Sequence, residues 1–373
     1  MKIKLNSFIY HLVFLLTLVS LFFLNNDRTS SNEITLNIIL AFFTFVFLIL
    51  LVTLFFYKLY IVERKVLIYI FLCVCSCYWV YLVRNYVIVH WIYLLISFYI
   101  TFSSINLNKK VLRISVYLSF CSVVLQLVCF RFSGRPVLSY IDPNYSGYYI
   151  FCLFLFTWFN NYKKIALCLL LCGLVTLSRN FILAVVVFFL VANSSYIRKV
   201  VLRFNYTSLL LFGYVILFII STLYIAKFSE EIIQGTTNLE KDITQIVDRS
   251  NLDRFTANIL FIDDFTGNMK KYYWGIDTET YTKNVFRNGP HNSLLQLILN
   301  YGLFFSFFYF LILSTIFSRY HKSLKFVSAY SSLIVYFLLL GGGIYGIQVI
   351  WLSFIYKSSM DSSDFTFVSH IAK

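Results

Sequence analysis

The stretch "NGPHNSLLQLILNYGLFF" (288–305) sets an ionisable side chain at the head of an apolar, helix-like run. Pro290 fits a first helical turn, which puts His291 near the positive end of a helix dipole. That position helps keep an imidazole neutral, the form a general base requires, although a bound pyrophosphate would oppose this. The competing reading is a structural histidine at a helix start. Asn292 beside it either orients the imidazole or caps the helix.

A second set of residues suits anions. "RFSGRPVLSYIDPN" (131–144), "LSRN" (177–180) and "DRSNLDRF" (248–255) carry Arg131, Arg135, Arg179 and Arg254. A guanidinium fork matches phosphate oxygens two at a time, and several forks could hold a pyrophosphate at a membrane edge. Alternatively these arginines snorkel, or pair with Asp142 and the loop acids. Asp142-Pro143-Asn144 reads as a turn, with Asn144 capping the helix that follows. Tyr272, Tyr273 and Trp274 suit either stacking on sugar rings or an interfacial aromatic belt. No metal-ligand set stands out: there is no HExxH, no glycine-rich phosphate loop, and only the doublet Asp263-Asp264 in the polar segment. Chemistry of this kind, with no metal or nucleotide cofactor, needs a donor activated beforehand, and a lipid pyrophosphate-linked sugar is one.

The elements that must position these groups read as membrane helices. Sixty per cent of the 373 residues are apolar, 20% are aromatic and 13% are charged. That composition points to a polytopic membrane protein rather than a soluble one. The expected fold is all-α, a membrane bundle of about twelve transmembrane helices, each near the ~20 residues that cross a ~30 Å hydrocarbon core. Approximate limits are 6–24, 34–57, 66–83, 86–105, 111–130, 145–159, 165–178, 180–196, 205–225, 291–317, 326–341 and 343–356. The first run follows Met1-Lys2-Ile3-Lys4 with no small-residue cleavage site and reads as a retained span. The chain thus divides into spans within 1–225, a polar segment 226–290, and further spans with a tail in 291–373. The eight cysteines all fall in apolar runs. Cys73, Cys75 and Cys77 point apart on a helix, Cys168 and Cys172 share a face, and the expected role of all is that of small buried hydrophobes.

The net charge of +15 sorts by side. Lys58/Arg64/Lys65, Lys109/Lys110/Arg113, Lys163/Lys164, Arg198/Lys199/Arg203 and Arg319/Lys322/Lys325 belong on the cytoplasmic side by the positive-inside rule, so the charge does not imply nucleic acid. Glu63, Asp361 and Asp364 are the acids on that side. Residues 165–192 decide the count. One helix there would be about 42 Å long at 1.5 Å per residue and would carry two basic clusters outside. Two short spans meeting at Ser178-Arg179-Asn180 keep them inside, so a hairpin is expected, with Arg179 below the outer surface. The segment 226–290 is then extracytoplasmic, a small cap of short helices. His291 becomes the one outward histidine, since His11 and His90 lie in spans and His321 and His370 lie inside.

These residues resemble a known family. "PHNSLLQLILNYG" resembles the HNxxL element of the O-antigen polymerase and ligase family, with His291, Asn292 and Leu295 in matching places and Gly302 downstream. "RFSGRPVLSYIDPNYSGYYI" resembles its arginine–glycine–(D/H)PN segment, and "LTLSRNFILAVVVFFLV" its SR element, with Asn180 where a glycine often follows. "DRF…WG…HN" resembles the large outer loop before the histidine. The matches run in order over 131–302, roughly half the chain.

The resemblance implies an all-helical, cofactor-free and metal-independent membrane glycosyltransferase. Its substrates would be undecaprenyl-pyrophosphate-linked oligosaccharides, at the outer face of the cytoplasmic membrane. His291 would deprotonate the acceptor hydroxyl. Arg179 and Arg254 would hold the pyrophosphate, with Arg135 or Arg131 assisting, and Asn144 and Asn292 would line the substrate site. Attack would invert the anomeric carbon. Membrane lipids and a chain-length regulator protein are the further partners expected. The aromatic-rich sequence, with 42 Phe and 29 Tyr, favours a surface polysaccharide polymerase. A ligase carrying the glycan to a lipid A-core or protein acceptor shares the motifs. A lipid-linked oligosaccharide flippase fits the span count but not the large outer cap.

Overall fold

The computed structural model describes residues 7–18 except 9 and 16, 87–102, 105–138, 142–194, 249–276, 281, 289–318, 320, 323–339 and 348–359, with isolated positions at 216, 219 and 223. The expected spans 34–57 and 66–83, the body of 205–225, and the clusters Lys58/Arg64/Lys65 and Arg198/Lys199/Arg203 lie outside the described residues. So do Cys73, Cys75, Cys77 and His321.

The described chain is predominantly helical. After a helical segment at 10–15 come α1 (Val87–Phe102), α2 (Lys109–Cys129), α3 (Pro143–Phe159), α4 (Lys163–Val175), α5 (Arg179–Asn193), α6 (Arg249–Gly267), α7 (Ser293–Tyr301), α8 (Leu303–Ser318), α9 (Leu324–Leu339) and α10 (Gln348–Ser358). Local chemistry sets several starts. The Asn108 side chain accepts the Lys110 N–H at 2.8 Å to open α2, and Ser178 Oγ accepts the Phe181 N–H at 3.3 Å to open α5. Side-chain caps of this kind supply backbone donors with the partners that a first helical turn lacks.

The helical elements depart from the sequence reading in several places. A two-stranded antiparallel ribbon, β1 (Arg131–Phe132) with β2 (Arg135–Pro136), interrupts the all-α pattern. The expected span 291–317 is two helices, broken at Gly302, whose φ is 89°. Within the polar segment 226–290 the described residues, 249–276, 281 and 289–290, form the 19-residue α6 where short helices are expected, and a 3-10 turn over Met269–Tyr272; the rest of the segment lies outside the described residues. Cys152 is buried, but Cys121, Cys129 and Cys168 are exposed on the outward sides of α2 and α4. Among the described residues one helix, α2, is long and apolar enough to cross a membrane. Arg179–Asn193 and parts of α8 and α9 are apolar but shorter.

The hairpin at Arg179 is present. α4 and α5, 13 and 15 residues long, span about 20 and 22 Å at 1.5 Å per residue. They separate at Thr176–Ser178, where Leu177 has a φ of 52°. The outward sides of α2 and α4 keep large apolar side chains uncovered, among them Leu118, Leu125, Val128 and Leu171, each more than 60% exposed.

Ring contacts fix how the helices run. Phe151 meets Phe181 and Phe154 meets Phe188, so α3 and α5 run parallel. Tyr336, near the end of α9, meets Tyr148 near the start of α3, so α9 runs the other way. Gln348 Nε2 donates to Tyr149 Oη at 2.9 Å and Trp351 meets Phe156, so α10 runs parallel to α3. Two ends of the bundle follow. One gathers lysines. Lys163 lies 3.7 Å over the Trp158 ring and within electrostatic reach of Lys325, and Lys357 Nζ donates to the Ile100 and Ile105 carbonyls at 3.0 and 2.7 Å. The opposite end gathers the turns bearing the arginines.

A large apolar core joins the bundle helices. A second, smaller core of Phe261, Tyr272, Tyr281, Ile298 and Leu299 joins the cap to α7. α7 therefore belongs to both.

Candidate active site

At the arginine end, the start of α3 is fixed first. Asp142, not Asn144, is the N-cap: its Oδ1 accepts the N–H groups of Asn144 at 2.6 Å and Tyr145 at 3.4 Å. Pro143 takes the first helical position, which places the cap one residue earlier. The Asn144 side chain is thus free for a tertiary role, and its Oδ1 accepts from Ser178 Oγ at 3.2 Å. This bond ties the α3 start to the turn bearing Arg179. Gly147 makes the approach possible, since a Cβ there would lie 3.0 Å from the Ser178 Cβ and Oγ.

Arg254 arrives from the cap. It is half-buried on α6, and with Asp142 it acts electrostatically on the Tyr145 hydroxyl at the start of α3. Asn258, one turn further along α6, is 3% exposed, and its Oδ1 has no hydrogen-bond partner.

α7 enters over the end of α9. Asn292 is fully buried and caps the helix, accepting the Leu294 and Leu295 N–H groups at 3.0 and 3.2 Å. Its Nδ2 donates to the Leu338 carbonyl at 3.3 Å. Asn292 is therefore a cap and an anchor, not an orienting partner for the imidazole. Pro290 and His291 precede that cap instead of forming the first turn. His291 is half-buried between two buried neighbours, Pro290 and Asn292.

Arg131 does not join this group. Its guanidinium folds back to donate to the Leu127 carbonyl and to the Phe130 carbonyl at 3.0 Å, closing the end of α2. Arg135 stands exposed on β2. The aromatic run before α7 is mostly structural. Tyr272 is buried and donates to Asp264, while the rings of Tyr273 and Trp274 each lie 5.3 Å from Phe304.

The cap holds its shape through Asp264. Burial alone would raise its pKa. Hydrogen bonds from Tyr272, Asn268 and Lys271, with the charge of Lys271 3.2 Å away, outweigh burial and hold the carboxyl below its ordinary value. Burial and the same carboxylate push the Tyr272 phenol up. Beneath this network the Gly275 and Gly302 backbones touch: a Cβ on Gly302 would lie 2.4 Å from the Tyr273 carbonyl oxygen.

Among the described residues no group of His, Cys, Asp and Glu is arranged to hold a metal ion. No family model, curated protein or solved structure matches this chain.

One end of the bundle thus carries Asn144, Arg179, Arg254, His291 and Asn292, from four separate stretches of sequence, with Arg179 exposed there. Ser178 and Asn258 emerge only in the fold. No local signal marks Ser178 as the partner of a residue 34 positions away.

Proposed function

We propose that this chain is a multi-pass membrane glycosyltransferase. It joins undecaprenyl-pyrophosphate-linked repeat units into a long surface polysaccharide at the outer face of the cytoplasmic membrane. The observation that supports this reading is that the Arg179 turn, Arg254 and the His291–Asn292 helix start all lie at the end of the bundle opposite the lysines. The uncovered apolar sides of α2 and α4 support a lipid setting, and in it the chain crosses the membrane about twelve times. The lysine end takes the cytoplasmic side.

In this reading His291 takes the proton from an acceptor sugar hydroxyl as its oxygen bonds to the anomeric carbon of the donor. The bond from that carbon to the pyrophosphate breaks on the opposite side. Arg179 and Arg254 neutralise the charge that develops on the leaving pyrophosphate. Asn292 holds the start of α7 against α9 and so fixes where the imidazole sits.

The test is polymerisation in vitro by purified protein supplied with lipid-linked repeat units. A general base contributes ~10² to 10⁴-fold, so His291→Ala is expected to leave little or no polymer in a well-folded protein. Near-normal chain growth would return His291 to a helix-start role. Cells lacking the protein separate the related activities. A lost polymerase leaves single repeat units on the surface, a lost ligase traps long chains on the lipid carrier, and a lost flippase abolishes both.

A further inference from the structure

We propose that Asn180 is a substrate-binding residue whose Nδ2 donates a hydrogen bond to a phosphate oxygen of the lipid-linked donor. The inference rests on the glycosyl-transfer reading above. Asn180 is 6% exposed, and its Nδ2 has no hydrogen-bond partner. Its polar neighbours do have partners. Thr176 Oγ1 donates to the Gly173 carbonyl at 2.7 Å, Ser178 Oγ donates to Asn144, and Ser146 Oγ donates to the Asp142 carbonyl at 3.1 Å and accepts the Leu138 N–H at 3.0 Å. A buried donor left alone inside such a network is costly, and an aliphatic side chain would fill the same space without that cost. Helix capping does not explain the amide either, because Ser178 already caps α5.

The surroundings of the amide point to its ligand. Phe181 and Phe188 take the α3 side of α5, through Phe151 and Phe154. Asn180 and Ala184 lie on the neighbouring buried stripe of α5, a helix that packs extensively against α9. The last turn of α9 is where the Leu338 carbonyl holds Asn292. The unpartnered donor therefore lies at the same end of the bundle as the Arg179 turn and the start of α7. An amide nitrogen can only donate, so it requires an acceptor oxygen. The first turn of a 15-residue helix, with Arg179 at its head, favours an acceptor that carries negative charge. A phosphate oxygen meets both demands.

The experiment measures binding of undecaprenyl pyrophosphate and of uncharged undecaprenol to the purified full chain, with Asn180→Ala, Asn180→Asp and wild type compared. Loss of one hydrogen bond to a charged group is expected to weaken pyrophosphate binding about tenfold in Asn180→Ala. Asn180→Asp, which sets a carboxylate against the phosphate, is expected to weaken it further. Undecaprenol binding should stay unchanged in both. If wild type and both variants bind the pyrophosphate equally well, the assignment of Asn180 falls while the glycosyltransferase reading stands. If wild type prefers neither lipid, both readings fall. If both variants lose their ligand-free melting transition, Asn180 is a core residue and the inference is overturned.

Discussion

At the α4–α5 turn, Arg179 follows a serine that is 2% exposed and hydrogen-bonded across to α3. At the β1–β2 ribbon, Arg131 and Arg135 stand on two-residue strands that are mostly open to solvent. Both turns lie at the same end of the bundle and both carry arginine. They differ in what holds the backbone that carries the arginine, for Arg179 is exposed just as Arg131 and Arg135 are. The α4–α5 turn is locked by Thr176, Ser178, Asn144 and the close approach at Gly147. The ribbon is locked by its own backbone, and one of its arginines is spent on closing α2. A charge pattern alone does not separate these arginines. A buried polar network fixes the backbone beside one of them and not beside the other two.

This contrast can be broken experimentally. The largest effect is expected at Arg179→Lys, which keeps the charge but loses the bidentate fork. Chain growth should fall by roughly 10- to 100-fold, the range of one or two charge-assisted hydrogen bonds, with protein abundance normal. If long chains persist, positive charge alone suffices and the locked turn has no special role.

Ser178→Ala comes next. It removes a helix cap and leaves the Asn144 acceptor unpaired, so the protein should lose about 1 to 2 kcal/mol of stability. A melting temperature in detergent equal to wild type would show that the turn is held by other contacts.

The cap offers a smaller, pH-dependent effect. Folding lowers the Asp264 pKa, so the folded state binds fewer protons on this group than the unfolded state does. Its stabilisation is complete above the ordinary carboxylate value near ~4 and is lost as pH falls through the folded value. Melting temperatures at pH 6 and at pH 3 should therefore differ less in Asp264→Asn than in wild type. The smallest effect is expected at Arg135→Lys, with chain growth within about threefold of wild type, since Arg135 stands on a two-residue strand and not beside a buried hydrogen-bonded turn. A loss as deep as that of Arg179→Lys would make the ribbon part of the site.

Much of the helix order was legible in apolar run lengths and cap residues, including the break at Ser178-Arg179-Asn180. That break could be read because a charged residue divides two apolar runs. The break at Gly302 could not, because a lone glycine within an apolar run is tolerated in a helix. Its cause is tertiary, the docking of Tyr273–Gly275 on the chain. Asp-Pro-Asn offers two capping side chains, Asp142 and Asn144, and only the helical register gives the role to Asp142. The exposed Cys121, Cys129 and Cys168 have a similar lesson. In a lipid setting, a side chain facing lipid and one facing the core carry the same apolar signature.

The contact between Gly275 and Gly302 has a genetic consequence. Both residues have positive φ, at 81° and 89°. At both positions the three atoms nearest a new Cβ belong to backbone and lie within 2.8 Å of it. No neighbouring side chain can be trimmed to make room. In a saturation mutagenesis screen both positions should therefore reject almost all replacements, although neither carries a functional group. Second-site suppressors of such mutants should be rare, and those recovered should alter the length of the connection between α6 and α7 rather than the size of any residue packed against it.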